Sequence, residues 1–312
     1  MNVDKIAVIG VGIMGSGIAL ACAKGDLEVK IWDIQKDVTK QALSRITSAL
    51  DTLSDAGILS KEDRNSCLQR ITPTQQINQA VEGAKIVFEV VPERIELKKQ
   101  VFKKLDTICQ NDTILASNTS TFKIAVLASA TKKPSRVIGT HWMNPPYFVP
   151  LVEVIPSART SRETTDVIMN FLTSIGKRPI LCNDTPGFIV NRMHSALLVE
   201  VISMAEQGIA TMKDIDMAWT QHLGPRYCVA GPFQQMDSFG LDTEHSQYSY
   251  LQKTVKDNKF KPPRLLKTKV RNHQLGLKTG KGFYDYSGKD IESMIKERDK
   301  RFIQLLRFLG IL

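Results

Sequence analysis

Several features are scarce or missing in this sequence of 312 residues, and each absence excludes a class of protein. No run approaches the roughly 18 apolar residues of a membrane span, so we expect no membrane partner. The five cysteines form no CxxC pair, which argues against a disulfide framework and against a metal site and is typical of reduced thiols in a cytoplasmic protein. They are Cys22, Cys67, Cys109, Cys182 and Cys228.

Acidic residues are fewer than basic ones: the sequence has 32 Asp and Glu and 42 Lys and Arg, so its formal net charge is +10. The basic residues are spread along the chain, however, and no aromatic-basic module is present, so we expect no nucleic-acid partner. A small anionic ligand suits this surface better. The length allows two domains, each with a substantial core.

A glycine turn is the most informative motif. The apolar run Lys5–Ile9 leads into Gly10, and a helix-like stretch, 16–24, follows. A second apolar run then ends at Asp33, about 20 residues after the glycines, which is the spacing of the Rossmann dinucleotide fingerprint. The helix N-terminus is expected to receive the phosphates. The residues predicted to bind the cofactor here are Gly10, Gly12, Ile13, Met14, Gly15 and Asp33.

Each part of this motif has a separate task. Gly10 allows the tight turn, Gly12 lets the backbone approach a pyrophosphate, and Gly15 lets helix and strand pack closely. A carboxylate at Asp33 accepts hydrogen bonds from ribose hydroxyls and repels a 2′-phosphate, so NAD is favoured over NADP, although Lys36 lies close enough to soften that preference. The alternatives are a signal peptide, which the four glycines at 10, 12, 15 and 17 disfavour, and a glycine turn without ligand, which Asp33 disfavours.

Strands and helices alternate through the first part of the chain, which predicts a mainly parallel sheet covered on both faces. After Pro186 almost only helical patterns follow, so we place the domain boundary there and expect an α/β domain at 1–185 and an all-helical domain at 186–312. The predicted strands are 5–9, a run ending at Asp33, 86–91, 113–117, 137–141, 151–156 and 177–182, and the predicted helices include 16–24, 37–59, a short one after Ser60, 95–108, 161–175, 188–207 and 291–309.

Polar residues at strand ends mark the chemistry. His141 ends one predicted strand and is the natural proton acceptor in a dehydrogenase, because hydride removal from a carbinol carbon requires the hydroxyl proton to leave as well. Glu153, inside an otherwise apolar strand, is its natural partner, since a carboxylate orients the ring and stabilises the imidazolium. Both could instead be ordinary strand residues, with Glu153 facing outward. Ser117 and Asn118 end another predicted strand and either bind a ligand there or merely terminate the strand. Asn191 lies one helical turn after Gly187 and either offers a donor to a substrate carbonyl or faces solvent.

Five ordered blocks together resemble the L-3-hydroxyacyl-CoA dehydrogenase family, and a sixth resembles that family's near-terminal signature. The blocks span nearly the whole chain, which makes the likeness specific. They are Gly10–Ala19, Ala116–Ser120, His141–Pro145, Leu151–Ile155, Thr185–Arg192 and Thr279–Tyr286.

The resemblance implies a reaction and roles for single residues. Hydride would pass between the 3-carbon of an acyl group and NAD, as in fatty acid metabolism, with His141 as general acid/base and Glu153 as its partner. Ser117, Asn144 and Asn191 would contact the substrate, and Glu93 with Asn118 would lie near the nicotinamide ribose. The helical domain would close over the substrate and form the interface of a homodimer.

Two departures from the family pattern leave the substrate open. CoA-using members usually carry lysines after the second strand, but the stretch 53–61 here has Asp55 and a single lysine, Lys61. The arginine at position 226 is similar to the pattern in relatives that oxidise free hydroxy acids such as L-gulonate or carnitine. The fork of the Arg226 guanidinium suits a bare carboxylate. The CoA thioester is the leading hypothesis, a free 3-hydroxy acid is the second, and an NAD-binding structural protein without turnover is the third.

Overall fold

The computed structural model describes residues 3–312, which divide into two compact units between Leu197 and Leu198. This division falls inside a helix, Val190–Glu206, that begins in the first unit and continues into the second. The domain boundary at 185/186 was placed from the loss of strand patterns rather than from contacts, and it stays a prediction.

The first unit is built on one eight-stranded sheet. Its spatial order is β3-β2-β1-β4-β5-β6-β7-β8, and every neighbouring pair is parallel except β6 and β7, which run antiparallel. The order reverses between β1 and β4, as in a doubly wound fold. The strands are β1 (Lys5–Ile9), β2 (Glu28–Trp32), β3 (Ile71–Pro73), β4 (Ile86–Glu89), β5 (Ile114–Ser117), β6 (Val137–Trp142), β7 (Leu151–Pro156) and β8 (Arg178–Leu181).

Helices cover both faces of this sheet, and alternate residues of each central strand enter two separate apolar clusters. In β1, Ile6 and Val8 pack into one cluster, and Ala7 and Ile9 pack into the other. The predicted Rossmann-type, mainly parallel architecture is therefore confirmed. The helices are α1 (Ile13–Lys24), α2 (Lys36–Asp55), α3 (Lys61–Gln69), α4 (Ile77–Val81), α5 (Ile95–Ile108), α6 (Ile124–Ala128), α7 (Arg162–Ser174) and α8 (Val190–Glu206).

Two element boundaries differ from the sequence prediction for local reasons. Helix α2 ends at Asp55 and not at residue 59, because Gly57 adopts a φ of 69° and Ile58 N–H donates back to the Leu53 carbonyl, which closes a Schellman motif. The sequence analysis missed the edge strand β3, whose three residues include a proline. Ser60 caps α3 as expected, since its hydroxyl accepts from Asp63 N–H at 3.0 Å.

The second unit is helical, with isolated β-bridges in place of a sheet among its described residues. Asp237 in this unit is 1% exposed and accepts hydrogen bonds from Phe283 N–H, Tyr284 N–H and the Tyr286 hydroxyl. The near-terminal signature, 279–286, is thus bound to the rest of this unit through the buried carboxylate of Asp237. The helices are α9 (Met212–Ala218), α10 (Gly224–Val229), α11 (Pro232–Phe239), α12 (Leu241–Val255), α13 (Arg264–Arg271) and α14 (Ile291–Phe308).

A buried lysine holds the segment 143–150 that joins β6 to β7. Lys177 Nζ donates to the carbonyls of Pro146 and Val149 and lies 5.5 Å from the centre of the Trp142 ring. Burial, reinforced by the nearby charge of Lys24, lowers the pKa of Lys177 to about 8.

We expect the stability difference between the native protein and Lys177→Met to depend on pH. The native pKa of Lys177 lies below that of the unfolded chain, about 10.4. The unfolded state therefore binds more protons between these values, and the wild type gains stability as pH rises from about 8 to 10. Urea unfolding at several pH values should show that the free energy of unfolding of the wild type, relative to that of Lys177→Met, rises by about 1–3 kcal/mol over this pH range. The exposed Lys40→Met is the control, and a pH-independent difference for Lys177→Met would contradict this expectation.

Candidate active site

The glycine turn between β1 and α1 has the geometry that a phosphate-binding loop requires. Gly10 has a φ of 90°, and a Cβ on Gly15 would lie 2.0 Å from the Gly10 carbonyl oxygen, so a side chain at Gly15 is excluded by packing. A Cβ on Gly12 would meet nothing within 4 Å. Gly12 therefore faces open space at the N-terminus of α1, where backbone N–H groups attract an anion.

This open space belongs to a cavity of ≈ 750 Å³ along the carboxyl ends of the strands. All eight residues that we predicted to bind the cofactor line it, although they come from separate segments of the chain. Its volume and its glycine turn fit a dinucleotide. These eight residues are Gly10, Gly12, Ile13, Met14, Gly15, Asp33, Glu93 and Asn118.

The carboxylate of Asp33 is held in place by backbone donors at the rim of this cavity. Val11 N–H donates to Oδ2 and Gln35 N–H donates to Oδ1, both at 3.0 Å. Each oxygen has a second lone pair that remains available to a ribose hydroxyl. The carboxylate is thus fixed before the cofactor arrives.

We expect the enzyme to use NAD with at least tenfold higher kcat/KM than NADP, because Asp33 repels a 2′-phosphate. Asp33→Ser should narrow this gap by removing both the acceptor and the repulsion. Initial rates with each cofactor check this expectation, and Asp37→Ser in the first turn of α2 is a control for the loss of a nearby negative charge. A wild type that prefers NADP would contradict it.

His141 and Glu153 are direct cross-strand neighbours in the antiparallel pair β6 and β7. His141 Nδ1 lies 2.6 Å from Glu153 Oε2, and the residues are 6% and 0% exposed. The hydrogen bond orients the ring and commits Nδ1, which leaves Nε2 for a substrate proton. The predicted pairing is present, and the catalytic roles stay predictions.

The second oxygen of Glu153 has another task. Oε1 accepts from Ile189 N–H at 2.8 Å and from Val190 N–H at 2.9 Å, at the beginning of α8. Because these N–H groups have no partner within the helix, the buried carboxylate is balanced by backbone donors and by the helix dipole. This accounts for a charged residue inside an apolar strand, since each oxygen is satisfied.

Ser117 is fully buried at the end of β5 and faces an interior network. Its hydroxyl donates to Glu89 Oε2 at 2.6 Å, and Glu89 Oε1 accepts from Lys98 Nζ at 2.9 Å. The sequence analysis singled out Ser117 but missed Glu89 and Lys98, which are 0% and 1% exposed. Lys98 shares the buried face of α5 with Phe102 and Leu105, and a lysine on that face was the signal that could have revealed the pair.

Glu93 extends this network to the cavity. Its Oε2 lies 3.3 Å from Lys98 Nζ, while its Oε1 accepts from the Thr119 hydroxyl at 2.5 Å and from Ser120 N–H at 3.0 Å. Partial burial favours a higher pKa for Glu93, but the hydrogen bonds from 119–121 and the charge of Lys98 outweigh it and hold the pKa below its ordinary value. The Glu93 side chain is 36% exposed, so its carboxylate is ionised at neutral pH in reach of a ligand.

The other predicted contacts have varied surroundings. Asn118 Oδ1 accepts from Trp142 N–H, and Asn191 Nδ2 donates to the Ser120 carbonyl at 2.9 Å. Asn144 lines a separate groove of ≈ 340 Å³ beside α1 and α2. Arg226 belongs to the second unit, where its guanidinium lies over the rings of Phe239 and Phe302 at 5.0 and 5.9 Å.

Membrane-spanning helices and metal sites are absent from the described residues. No helix in 3–312 combines the length and the apolar character that crossing a bilayer requires. Within the same residues, no cluster of three or more His, Cys, Asp or Glu side chains is arranged to hold a metal ion.

Comparison with known proteins identifies the family. Residues 5–185 match the family model of the 3-hydroxyacyl-CoA dehydrogenase NAD binding domain, and residues 187–286 match that of its C-terminal domain. A Bacillus subtilis protein named probable 3-hydroxybutyryl-CoA dehydrogenase is 37% identical over 289 residues, which cover 93% of this chain and 99% of that protein. A Mesorhizobium japonicum protein named 5-formyl-3-hydroxy-2-methylpyridine 4-carboxylate 5-dehydrogenase is 32% identical over 308 residues, covering 98% of each.

A solved structure agrees with these matches. The crystal structure of a 3-hydroxyacyl-CoA dehydrogenase from Archaeoglobus fulgidus is 34% identical, has a TM-score of 0.83, and covers 99% of this chain and 100% of that chain. The chain therefore belongs to the 3-hydroxyacyl-CoA dehydrogenase family and is an NAD-dependent oxidoreductase that acts on a CH–OH group.

Proposed function

We propose that the protein interconverts an L-3-hydroxyacyl-CoA and the corresponding 3-oxoacyl-CoA. The main observation behind this proposal is the buried pair of His141 and Glu153. It lies at the carboxyl ends of the parallel strands, where the dinucleotide cavity also lies. The Bacillus subtilis and Archaeoglobus fulgidus relatives, whose names give CoA esters as substrates, support it.

In this reaction, NAD supplies the acceptor for a hydride from the substrate 3-carbon. His141 Nε2 takes the proton of the 3-hydroxyl group as the hydride leaves, and Glu153 stabilises the resulting imidazolium through the 2.6 Å contact with Nδ1. In the reverse direction the imidazolium returns the proton to the 3-oxo oxygen. Asn191 offers an amide to the same oxygen if it leaves the Ser120 carbonyl. Asn144 stays a proposed substrate contact, and it lines a groove separate from the dinucleotide cavity.

The direct test compares acetoacetyl-CoA with free acetoacetate as oxidants of NADH. We expect a much higher kcat/KM for the CoA ester, and activity that falls with added salt because exposed phosphate contacts are screened. Free CoA added to the acetoacetate assay is the control for a pure binding effect of the CoA moiety. A higher kcat/KM for the free acid contradicts the proposal and favours the second candidate.

The second candidate is a free 3-hydroxy acid, and the surface of α2 and α3 favours it. Asp51, Asp55 and Asp63 are exposed there, and the nearest arginine, Arg64, is already paired with Asp51 at 2.6 Å. Within 53–64, where the family's lysines are expected, only Lys61 remains to meet several phosphate charges, so the cationic clamp for CoA is weak. The Mesorhizobium japonicum relative is also named for a pyridine carboxylate and not for a CoA ester.

Arg226 separates the two candidates. Its Nε is buried without a hydrogen-bond partner, so the guanidinium retains donors for a carboxylate. If a free acid is the substrate, Arg226→Leu should cost on the order of 2 to 4 kcal/mol in transition-state stabilisation for that acid and much less for an acyl-CoA. Equal losses for both substrates would show that Arg226 only packs against Phe239 and Phe302.

A third candidate is a structural protein that binds NAD without turnover. The intact pair of His141 and Glu153 argues against it, because a buried carboxylate held against an imidazole has a cost that binding alone does not require. Turnover in the assay above excludes this candidate.

We also propose a homodimer in the cytoplasm. Apolar side chains on α8 support the dimer, since Val199 is 69% exposed and Ile202 is 58% exposed. The five free cysteines suit a reducing compartment. Light scattering of the purified protein tests the dimer, and a monomeric mass at micromolar concentration would contradict it.

A further inference from the structure

Three charged side chains between the end of β4 and the first turns of α5 form a triad, Glu89, Glu93 and Lys98. It contains two carboxylates and one ammonium, so its net charge is negative by one. Lys98 Nζ and Glu89 Oε1 lie 2.9 Å apart in the interior, so the charges of these two side chains balance. The charge that remains is on Glu93, the member that lines the cavity.

The triad is rigid because nearly every hydrogen-bonding position in it is used. Lys98 Nζ contacts both carboxylates and the Val91 carbonyl, which accounts for its three donors. Glu89 accepts from Val91 N–H and Ser117 besides Lys98. The two buried residues therefore fix the position from which Glu93 faces the cavity.

Glu93, the cavity-lining member of the triad, lies in the half of the cavity that we assign to the nicotinamide. The sheet order reverses between β1 and β4, and a dinucleotide spans such a crevice with one half on each side. Asp33 follows β2 and marks the adenosine half, so Glu93, which follows β4, lies in the other half. Arg94 also lines this half, but none of the side-chain hydrogen bonds or ion pairs of the described residues holds its guanidinium, whereas Lys98 and 119–121 fix the Glu93 carboxylate at the cavity.

A fixed negative charge here distinguishes the two redox forms of the cofactor. The oxidised nicotinamide ring carries one positive charge, and hydride addition, which brings two electrons and a proton, makes the ring neutral. We propose that Glu89 and Lys98 are positioning residues for Glu93, and that the negative charge of the triad raises the affinity for oxidised over reduced cofactor. This inference rests on the NAD site assigned above.

The test measures separate dissociation constants for NAD⁺ by calorimetry and for NADH by fluorescence, with the full chain. Glu93→Gln removes the net charge, so the ratio Kd(NAD⁺)/Kd(NADH) should rise roughly fivefold or more. Glu89→Gln, at a residue outside the cavity lining, should raise the ratio as well, because Lys98 then neutralises Glu93. Glu96 is an exposed acid on α5, the helix that carries Lys98, and Glu96→Gln should change the ratio less than about twofold.

A merely structural triad predicts a different result, since both dissociation constants would then rise together. An unchanged ratio in Glu93→Gln, or in a folded Glu89→Gln, overturns the inference. Thermal melts establish folding, and the partly exposed Glu93→Gln keeps the test decisive if Glu89→Gln does not fold. A wild type that binds neither form contradicts the cofactor site itself, whereas binding with an unchanged ratio contradicts only the role of the triad.

Discussion

His141→Ala is expected to lower kcat by roughly 10²- to 10⁴-fold while the Kd for NADH changes little. We expect this loss because His141 Nε2 is the ring nitrogen left to accept the proton of the 3-hydroxyl while Nδ1 contacts Glu153. His141 is 6% exposed and does not line the cofactor cavity, so its removal leaves the dinucleotide contacts in place. Steady-state kinetics and NADH fluorescence titration measure the two quantities.

His194→Ala is the matched control, since His194 is an exposed histidine in α8. It should retain wild-type turnover. If His141→Ala keeps turnover near that of the wild type, His141 has no part in proton transfer and the mechanism proposed here is wrong.

Glu153→Gln is expected to reduce both activity and stability. The native carboxylate accepts hydrogen bonds on both oxygens, whereas glutamine offers one acceptor and one donor, so either His141 or the N-terminus of α8 faces an amide N–H. We expect kcat to fall by roughly 10- to 10³-fold and the free energy of unfolding to fall by about 1–3 kcal/mol. The acid limb of the pH–rate profile should move to lower pH, because the imidazolium loses its counter-charge.

Kinetics as a function of pH together with urea unfolding would establish this double effect. Glu163→Gln, in the first turn of α7, is a control for the loss of one acid at a helix start. A variant that loses stability but keeps the wild-type pH–rate profile would show that Glu153 supports α8 and does not act on His141.

The sequence predicted those parts of the fold that local patterns determine. Helix α5 and strand β7 have the predicted bounds, because amphipathic spacing and apolar alternation are properties of neighbouring residues. The pairing of His141 with Glu153 was predicted from chemistry, and its cause, the antiparallel register of β6 and β7, became visible only in the structure.

Contacts between distant segments escaped the sequence analysis. The bonds from Glu153 to the start of α8 join residues 36 and 37 positions apart, and no local pattern encodes them. Glu89 and Lys98 were overlooked because each stands inside an apolar pattern, where a single charge resembles an interruption. Arg226 was assigned to substrate binding from its residue type, and its aromatic neighbours come from α11 and α14.

The antiparallel pairing of strand β7 with β6 affects which mutations can change the substrate range of this enzyme. The register of two paired strands sets the separation of His141 and Glu153, so substitutions that keep the length of the connecting segment 143–150 leave this separation in place. Such substitutions can reshape the groove beside Asn144 while the pair stays in place, whereas insertions would change the loop length on which the register depends. Substrate range and acid–base chemistry are therefore separable by mutation, and libraries confined to this connection offer a route to new substrates.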